Sequence, residues 1–499
     1  MKRLILFFVL ILIVSACSGN PQPTSTSVRS TATLEPTNIP EPIKTAEFTV
    51  TVQPTISPTL SPTPFQLPAS PQYDIHAVLD YGWKKLTAQQ LVTIHQPSDQ
   101  PLGEIVLVVQ PNWYPGTFQL DEINWLDGSP ITDYVLDGIQ LRIPLSESWQ
   151  PGTSKELSMA FTLNLPTLDR GEEFGPNPFG YTTRQINLTD WHPFVPPFVD
   201  GDWLVHNPWF YGEHLVYPVA DYQVEIRLVN APNGTVIAAN ALDQGEGDTH
   251  IYQIDHARNF VVSVSPEYHV FHADVEGVTL LGYSFPYDAA IGEAAFQATV
   301  EAYKLYNQLF GPYPHESFSM IQADFLHGME YDGLYFLSKA FYNTYDGTPA
   351  TYLVAIAAHE TAHQWWFGLV ANDQALEPWL DEALCTFTER LYYENLHPDS
   401  LDWWLEYRVN YYEPQGWVDA SIYDSGGYRP YRDAVYLNGM NFLTELRDLV
   451  GADIFMLFLQ DYLSRNTDDL ATAPEFFEIL REHSDADWNS LKLKYFQNP

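Results

Sequence analysis

Two histidines and a glutamate, His359, His363 and Glu360, are the residues best suited to chemistry in this 499-residue chain. They follow an apolar stretch, residues 353–358, whose composition predicts a helix. Two histidines four positions apart lie on one helix face, so both imidazoles can bind the same metal ion. Zn²⁺ prefers tetrahedral nitrogen and oxygen ligands and keeps one position for water in catalytic sites, and Glu360 can take a proton from that water. Exposed histidines, or histidines satisfied in a core, are the alternative interpretation of this pentapeptide alone.

The third metal ligand predicted from the sequence is Glu382. Eighteen residues separate it from His363, and apolar residues flank it at 379–380 and 383–384. This spacing places Glu382 on the next helix, which can pack antiparallel to the first and direct a carboxylate at the same ion. A surface glutamate on an amphipathic helix fits poorly with these apolar neighbours. We therefore predict one zinc ion per chain, bound by His359, His363 and Glu382.

Residues 359–368 and the segment Trp379-Leu380-Asp381-Glu382 resemble the M1 family of zinc aminopeptidases, which are gluzincins. The resemblance extends from about residue 75 to the end of the chain and includes residues 309–314. It implies peptide substrates and a thermolysin-like, mainly helical catalytic domain behind an N-terminal β domain. Larger members of the family carry a further C-terminal helical domain. This chain ends at Pro499, so we expect a short form with a more open cleft.

The resemblance also implies a substrate-binding segment, Gly328-Met329-Glu330, which is similar to the family's Gly-x-Met-Glu-Asn motif. In that family the glutamate binds the free α-amino group of the substrate, and Glu330 is the matching residue. Tyr331 stands where the family has Asn, which affects the details of this subsite but not the carboxylate. A glycine-flanked turn residue is the alternative interpretation of Glu330.

A tyrosine hydroxyl that stabilises the oxyanion is another role implied by the resemblance. The segment Tyr436-Leu437-Asn438-Gly439 is similar to the family's Tyr-x-Lys-Gly context, with Asn in place of Lys, and Tyr436 is the matching residue. Glu389 matches a family glutamate that would orient a metal ligand, although a solvated helix residue explains it nearly as well. Plain packing is the alternative for Tyr436, and three further tyrosines compete for its role: Tyr423, Tyr428 and Tyr431.

Two regions of different periodicity must position these residues. Residues 73–275 show short alternating or apolar runs between Pro, Gly and Asp turns, which predicts an all-β domain, either an open sheet or a sandwich. Residues 276–499 carry apolar residues mainly at helical spacing, which predicts a mostly helical catalytic domain with a small sheet. In this second domain we predict a strand at 317–321 and helices at 294–310, 350–369, 377–395, 401–412 and 434–449.

The N-terminus predicts export and lipid attachment. A basic pair precedes an apolar run, residues 4–14, and the following Val14-Ser15-Ala16-Cys17 is similar to a bacterial lipobox. We therefore predict a signal peptide at residues 1–17, with a lipidated Cys17 that anchors the exported protein to the extracytoplasmic face of a bacterial cell membrane. An ordinary signal peptide with an incidental cysteine is the alternative. Residues 18–72, rich in Pro, Thr and Ser, predict an extended linker.

The charge balance excludes some classes of partner. A formal net charge of −40, from 23 Lys and Arg against 63 Asp and Glu, argues against nucleic acid and against electrostatic docking on anionic lipid. We interpret the charge as solubility outside the cell. If lipid occupies Cys17, the one remaining cysteine is Cys385, and no internal disulfide can form. We predict that Cys385 is a small buried helix residue rather than a metal ligand.

Together these observations predict a zinc metallopeptidase, and more specifically an aminopeptidase that releases N-terminal residues from peptides by zinc-activated water. A membrane-anchored zinc endopeptidase of a related gluzincin family is one alternative. A catalytically inactive, lipid-anchored binding protein with a vestigial metal site is another. The oligomeric state is left open by the sequence.

Overall fold

A computed structural model describes residues 70–168, 178–326 and 328–499. These residues belong to one compact unit, Gln66–Pro499. The predicted signal peptide, Cys17 and almost all of the predicted linker lie outside the described residues, so they stay predictions. Among the residues that the structure describes, no helix is both long and apolar enough to cross a membrane.

The first half of the described chain is built from β-strands, as its alternating pattern predicts. In the first strand, for example, Tyr73, Ile75 and Ala77 alternate with exposed residues and enter the core. The strands are β1 (Gln72–Asp80), β2 (Lys85–His95), β3 (Leu102–Val108), β4 (Phe118–Trp125), β5 (Val135–Asp137), β6 (Gln140–Trp149), β7 (Ser154–Asn164), β8 (Gly180–Tyr181), β9 (Ile186–Leu188), β10 (Phe198–Val199), β11 (Asp202–Trp203), β12 (Ala220–Val229), β13 (Val236–Ala239), β14 (Thr249–Ala257) and β15 (Val262–Ser265).

Three sheets share the core of this β half. A six-stranded sheet has the order β14-β12-β1-β2-β7-β4, in which β1 runs parallel to β12 and antiparallel to β2. A three-stranded sheet has the order β3-β6-β5, and a four-stranded sheet has the order β13-β15-β9-β8. Their buried apolar side chains form one cluster. The stretch 204–219 between β11 and β12 contains no helix or strand.

The second half combines helices with one mixed sheet, so the predicted order of a β region followed by a mainly helical region is confirmed. The strands are β16 (His269–Val275), β17 (Val278–Ser284), β18 (Ser317–Gln322), β19 (Met329–Tyr331), β20 (Leu334–Leu337), β21 (Ala371–Asn372) and β22 (Leu470–Ala471). The helices are α1 (Ala289–Phe310), α2 (Lys339–Tyr342), α3 (Tyr352–Ala362), α4 (Trp379–Leu396), α5 (Leu401–Trp403), α6 (Tyr428–Arg432), α7 (Gly439–Val450), α8 (Ala452–Asn466), α9 (Ala473–His483) and α10 (Asn489–Tyr495).

The mixed sheet has the order β16-β17-β18-β20-β19. Strand β18 confirms the prediction of a strand at 317–321. Strand β16 lies within the predicted β domain at 73–275, yet it pairs antiparallel with β17 of this sheet. The boundary predicted between 275 and 276 stays a prediction.

Most predicted helices are present, but the prediction of a helix at 350–369 is wrong beyond Ala362. The chain turns after His363, where the backbone N–H of Gly368 donates to the carbonyl of His363 at 2.8 Å. Phe367 adopts φ = 150°, which no helix accommodates. The predicted helix at 401–412 is present, but after α5 it continues as a π-helical stretch, Trp404–Val409, and a 3₁₀ turn, Asn410–Tyr412. The predicted helix at 434–449 begins with a π-helical turn, Asp433–Asn438, before α7.

Helices α3 and α4 pack together inside the core of the helical half. Helix α3 is buried on nearly all sides, and its many alanines let neighbouring elements approach closely. A close approach also joins α4 to α7, because a Cβ atom on Gly439 would lie 2.5 Å from the Cβ atom of Ala383. Only glycine fits there, and this contact brings the segment before α7 against the residue that follows Glu382.

Candidate metal centre

The structure brings the three predicted metal ligands together between α3 and α4. The ligand atoms of His359, His363 and Glu382 all lie within 4.8 Å of one another, and all three residues are buried. Nε2 of His359 lies 3.1 Å from Oε2 of Glu382, and Nε2 of His363 lies 3.6 Å from the same oxygen. The two imidazole rings are nearly perpendicular, with centroids 5.0 Å apart. Two nitrogens and one oxygen therefore converge on one point.

Glu389 contacts Nδ1 of His359, the ring nitrogen that does not face Glu382, and is not a solvated helix residue. Its Oε1 atom lies 2.8 Å from Nδ1 of His359, and its side chain is fully buried. Arg408 donates to both oxygens of this carboxylate at 2.7 and 3.0 Å, and Trp404 donates to Oε2 at 2.8 Å. Burial raises the pKa of Glu389, but Arg408 and His359 outweigh it, so its pKa is lowered and the carboxylate stays ionised. A fixed Nδ1–H leaves Nε2 free to bind metal.

This donor set fits zinc. Imidazole nitrogens and a carboxylate oxygen are zinc's usual ligands, and three protein ligands leave one position open. Nδ1 of His363 is also held, 3.3 Å from the carbonyl of Trp366. Burial lowers the pKa of His359, but its hydrogen bonds to Glu382 and Glu389 raise it to about 10. A metal ion at Nε2 would compete with a proton for this nitrogen, so metal affinity depends on pH.

Glu360 lies beside the three ligands with an unused hydrogen-bonding atom. Its side chain is 8% exposed, and among the described residues its Oε2 atom has no partner. Burial raises the pKa of Glu360 to about 8. A Cβ atom on Gly328 would lie 3.1 Å from Oε1 of Glu360, so the predicted substrate-binding glycine leaves room for this carboxylate. A buried acid near neutral pKa with a free oxygen is suited to proton transfer.

Tyr436 lies against the same centre. Its hydroxyl donates a short hydrogen bond to Oε1 of Glu382, and its ring stacks on that of His359 with centroids 6.0 Å apart. Burial and the charge of Glu382 raise the pKa of Tyr436, so the hydroxyl keeps its proton. The competing tyrosines are placed differently: Tyr423 donates to a backbone carbonyl, Tyr428 is largely exposed, and the hydroxyl of Tyr431 has no partner among the described residues.

Glu330 is a buried strand residue on β19, not an exposed turn residue. Its Oε1 atom accepts a hydrogen bond of 3.1 Å from Gln374, which also donates to Asp381 at 2.8 Å. The ligand atoms of Glu330, Glu360 and His363 lie within 4.8 Å of one another. Burial and the nearby charge of Glu213 raise the pKa of Glu330 well above its usual range. The neighbouring Met329 packs instead against a small apolar cluster of the mixed sheet.

Sequence reasoning missed Glu213, which the stretch 204–219 of the β half brings to this site. The carboxylate oxygens of Glu213, Glu330 and Glu382 lie within 4.8 Å of one another. Oε2 of Glu213 is buried without a partner among the described residues, and burial raises its pKa well above the usual range. Gly212 has φ = 69°, and a Cβ atom there would lie 2.6 Å from Ile422. The sequence offers no periodic signal for this residue.

Comparisons with known proteins agree with this geometry. A family model described as the peptidase family M1 domain matches residues 294–496. A leucine aminopeptidase 2 of Neosartorya fischeri is 28% identical over 159 residues, which is 28% of this chain and 26% of that protein. An aminopeptidase M1 of Arabidopsis thaliana is 24% identical over 234 residues, which is 43% of this chain and 26% of that protein. The chain thus spans about a quarter of each relative.

The fold is also similar to that of solved structures. The crystal structure of an M1 zinc metallopeptidase from Deinococcus radiodurans superposes with a TM-score of 0.62 at 18% identity, covering 86% of this chain and 94% of that one. An E323A mutant of the Deinococcus enzyme gives a TM-score of 0.63 at 17% identity, covering 86% and 95%. The likeness is one of fold, in which a β-rich region precedes a helical one. Separately, the match to the peptidase family M1 model covers the residues that carry the metal ligands.

Proposed function

We propose that this chain is a zinc aminopeptidase that releases N-terminal residues from peptides. The observation that carries the proposal is a pair of carboxylates beside the metal ligands, the buried Glu330 and the half-buried Glu213. Oxygens of Glu213 and Glu330 lie within 4.8 Å of each other and of a Glu382 oxygen. A cluster of carboxylates this close to the metal ligands suits a substrate that carries a positive charge close to its scissile bond.

The free α-ammonium group of a peptide is such a charge. Burial raises the pKa values of both Glu213 and Glu330; the charge of Glu382 adds to the effect for Glu213, and the charge of Glu213 adds to it for Glu330. An ammonium ion between the two carboxylates would offset these effects. Because these carboxylates are fixed relative to the metal ligands, holding the ammonium group would present the first peptide bond to the metal. Selection of the first bond is what distinguishes an aminopeptidase from an endopeptidase.

The residues around the metal then divide the work of hydrolysis. Zinc, when bound, polarises the scissile carbonyl and lowers the pKa of water. Glu360 accepts a proton from the attacking water at its free Oε2 atom and passes it to the leaving amine. The hydroxyl of Tyr436, beside Glu382, donates to the carbonyl oxygen as negative charge develops on it. Glu389 keeps His359 oriented throughout.

The names of the relatives support this proposal: one is called leucine aminopeptidase 2 and another aminopeptidase M1. The names belong to proteins of which this chain matches about a quarter.

The test compares hydrolysis of an aminoacyl p-nitroanilide with hydrolysis of its N-acetylated form by the zinc-loaded protein. We expect the free-amine substrate to be cleaved and the acetylated one to resist. Glu330→Gln should weaken this preference, while Glu360→Gln should abolish turnover of both. Equal cleavage of both substrates by the unsubstituted protein would favour the endopeptidase, and no cleavage of either would favour the inactive binding protein.

We propose in addition that the protein is exported and attached to a membrane by lipid at Cys17. The support is the basic pair, the apolar run and the lipobox-like Val14-Ser15-Ala16-Cys17. Expression in a bacterial host followed by detergent phase separation tests it. The native chain should enter the detergent phase and Cys17→Ser should stay in the aqueous phase; the same partition for both would contradict lipid attachment.

A further inference from the structure

A fully buried glutamine follows the second metal-binding histidine directly. Both ends of the Gln364 side-chain amide are used: Nε2 donates to the carbonyl of Tyr331 at 3.1 Å, and Oε1 accepts from the N–H of Gly333 at 2.7 Å. Tyr331 is the last residue of β19, and Gly333 lies in the turn of the β19–β20 hairpin, which presents Glu330. One side chain therefore joins the segment that follows α3 to the turn of this hairpin.

The same turn is held from its other sides by different elements. The carbonyl of Asp332 accepts from Asn240 at 2.9 Å, and its carboxylate accepts from the backbone N–H of Arg258 at 2.9 Å. The carbonyl of Gly333 accepts from the N–H of Ser319 on β18 at 3.0 Å. These partners belong to the β half and to the mixed sheet. Among the described hydrogen bonds of residues 331–333, the two made with the Gln364 side chain are the ones that connect this turn to the segment carrying His363.

We propose that Gln364 is a positioning residue that sets the distance between Glu330 and the metal ligands, and thereby the preference for substrates with a free amino terminus. The inference rests on the proposed aminopeptidase function. Glu330 is adjacent to Tyr331 in the sequence, and His363 is adjacent to Gln364, so the two hydrogen bonds connect the segments that carry Glu330 and His363. Ligand atoms of Glu330 and His363 already lie within 4.8 Å of each other.

Glutamine is suited to this task because its planar amide offers a donor and an acceptor at once. Glutamate at this position would keep an oxygen for the N–H of Gly333 and lose the donor to Tyr331. Methionine would fill the same volume and lose both bonds. A displacement of about 1 Å between a binding group and a reacting centre is enough to change rates by about 100-fold. Gln364→Met is therefore expected to change amine recognition without removing any group that contacts substrate.

The experiment uses two hydroxamate inhibitors of the zinc-loaded protein. One is leucine hydroxamate, which carries the α-amino group, and the other is its desamino analogue, which binds metal alone. The ratio of their inhibition constants measures how much the ammonium group contributes to binding, and it does not require turnover. We expect the unsubstituted protein to prefer the amino compound, Gln364→Met to lose roughly tenfold or more of that preference, and Gln364→Glu to fall between them. Affinity for the desamino compound and zinc content should not change.

A matched control is Gln322→Met, which removes a buried amide from β18 that bonds Asp288 and the N–H of Phe285. This variant should keep the full preference. A Gln364→Met protein that keeps the preference, or that weakens for both inhibitors equally, would overturn the inference. If the methionine variant does not fold, a Gln364→Glu protein with an unchanged ratio of inhibition constants would also overturn the inference. A ratio of one in the unsubstituted protein would overturn the amine site and this inference together.

Discussion

Nδ1 of His359 lies 2.8 Å from Oε1 of Glu389, and Glu389 is held in turn by the guanidinium group of Arg408. A metal ligand is thus connected to a charge that lies wholly within the core. This relationship determines which nitrogen of His359 carries its proton and where the other nitrogen points.

Loss of that charge should weaken zinc binding. In Glu389→Gln the amide nitrogen would face the donors of Arg408, and His359 would lose its fixed orientation. We expect zinc affinity to fall by about 10- to 100-fold, measured by competition with a chromogenic chelator. Glu394→Gln on the same helix removes a carboxylate that pairs with Arg447 and should leave zinc affinity unchanged. Equal affinities in both variants would contradict the orienting role.

The role of Glu360 predicts a separation of binding from turnover. Glu360→Gln keeps the size of the side chain and removes its basicity. We expect kcat to fall by about 10²- to 10⁴-fold while zinc content stays at one ion per chain. Steady-state kinetics and metal analysis on the same preparation provide the test. Full activity in this variant would assign proton transfer to another group.

Tyr436 offers a comparison with a neighbouring tyrosine. Tyr436→Phe removes the hydroxyl beside Glu382, and kcat should fall by about 10²- to 10³-fold with little change in KM. Tyr431→Phe is the control, because that ring lies 5.8 Å from Tyr436 and its hydroxyl has no partner among the described residues. Similar kcat values for the two variants would move the oxyanion role away from Tyr436.

The buried pair His315 and Asp332 predicts a pH-dependent stability. Nε2 of His315 lies 3.0 Å from Oδ1 of Asp332. Burial lowers the pKa of His315, but the Asp332 carboxylate outweighs burial and raises it. The pKa of Asp332 is lowered, because His315 and the backbone N–H of Arg258 outweigh the effect of burial.

The stability gained from His315 is present in full below its unfolded pKa of about 6.5 and is lost as pH rises through its higher folded value. The stability gained from Asp332 is present above about pH 3.9, its unfolded pKa, and is lost as pH falls through its lower folded value. The advantage over His315→Gln should therefore be largest near pH 5–6 and shrink toward pH 9, by about 1.4 kcal/mol for each unit of pKa shift. Urea unfolding of the zinc-loaded proteins at both pH values measures it. If the free energies of unfolding of the two proteins changed in parallel with pH, the pair His315 and Asp332 would not be a source of pH-dependent stability.

The metal ligands could be predicted from sequence because each depends on local spacing. His359 and His363 lie one helical turn apart, and the apolar neighbours of Glu382 place it on a buried helix. Helix α3 nevertheless ends at Ala362, and the chain turns at Phe367. At this turn Arg258 of the β half donates to the carbonyl of Gly368, a distant contact that periodicity does not predict.

The supporting residues could not be found in this way. Glu213 reaches the site from an irregular stretch of the β half, and Arg408 reaches Glu389 from a π-helical turn. Neither has a spacing rule that relates it to the histidines. Glu389 illustrates the same limit, because only its burial and its three partners separate an orienting residue from a solvated one.

The contribution of Glu213 from outside the matched stretch 294–496 has an evolutionary consequence. In the proposed aminopeptidase, the groups that break the bond and one of the groups that select it would be encoded in separate parts of the gene. Under this proposal, substitutions in the irregular stretch 204–219 would change which peptide termini are accepted while the hydrolytic residues stay intact. A chimera that kept residues 294–496 and took its β half from a relative should show that relative's preference for N-terminal residues.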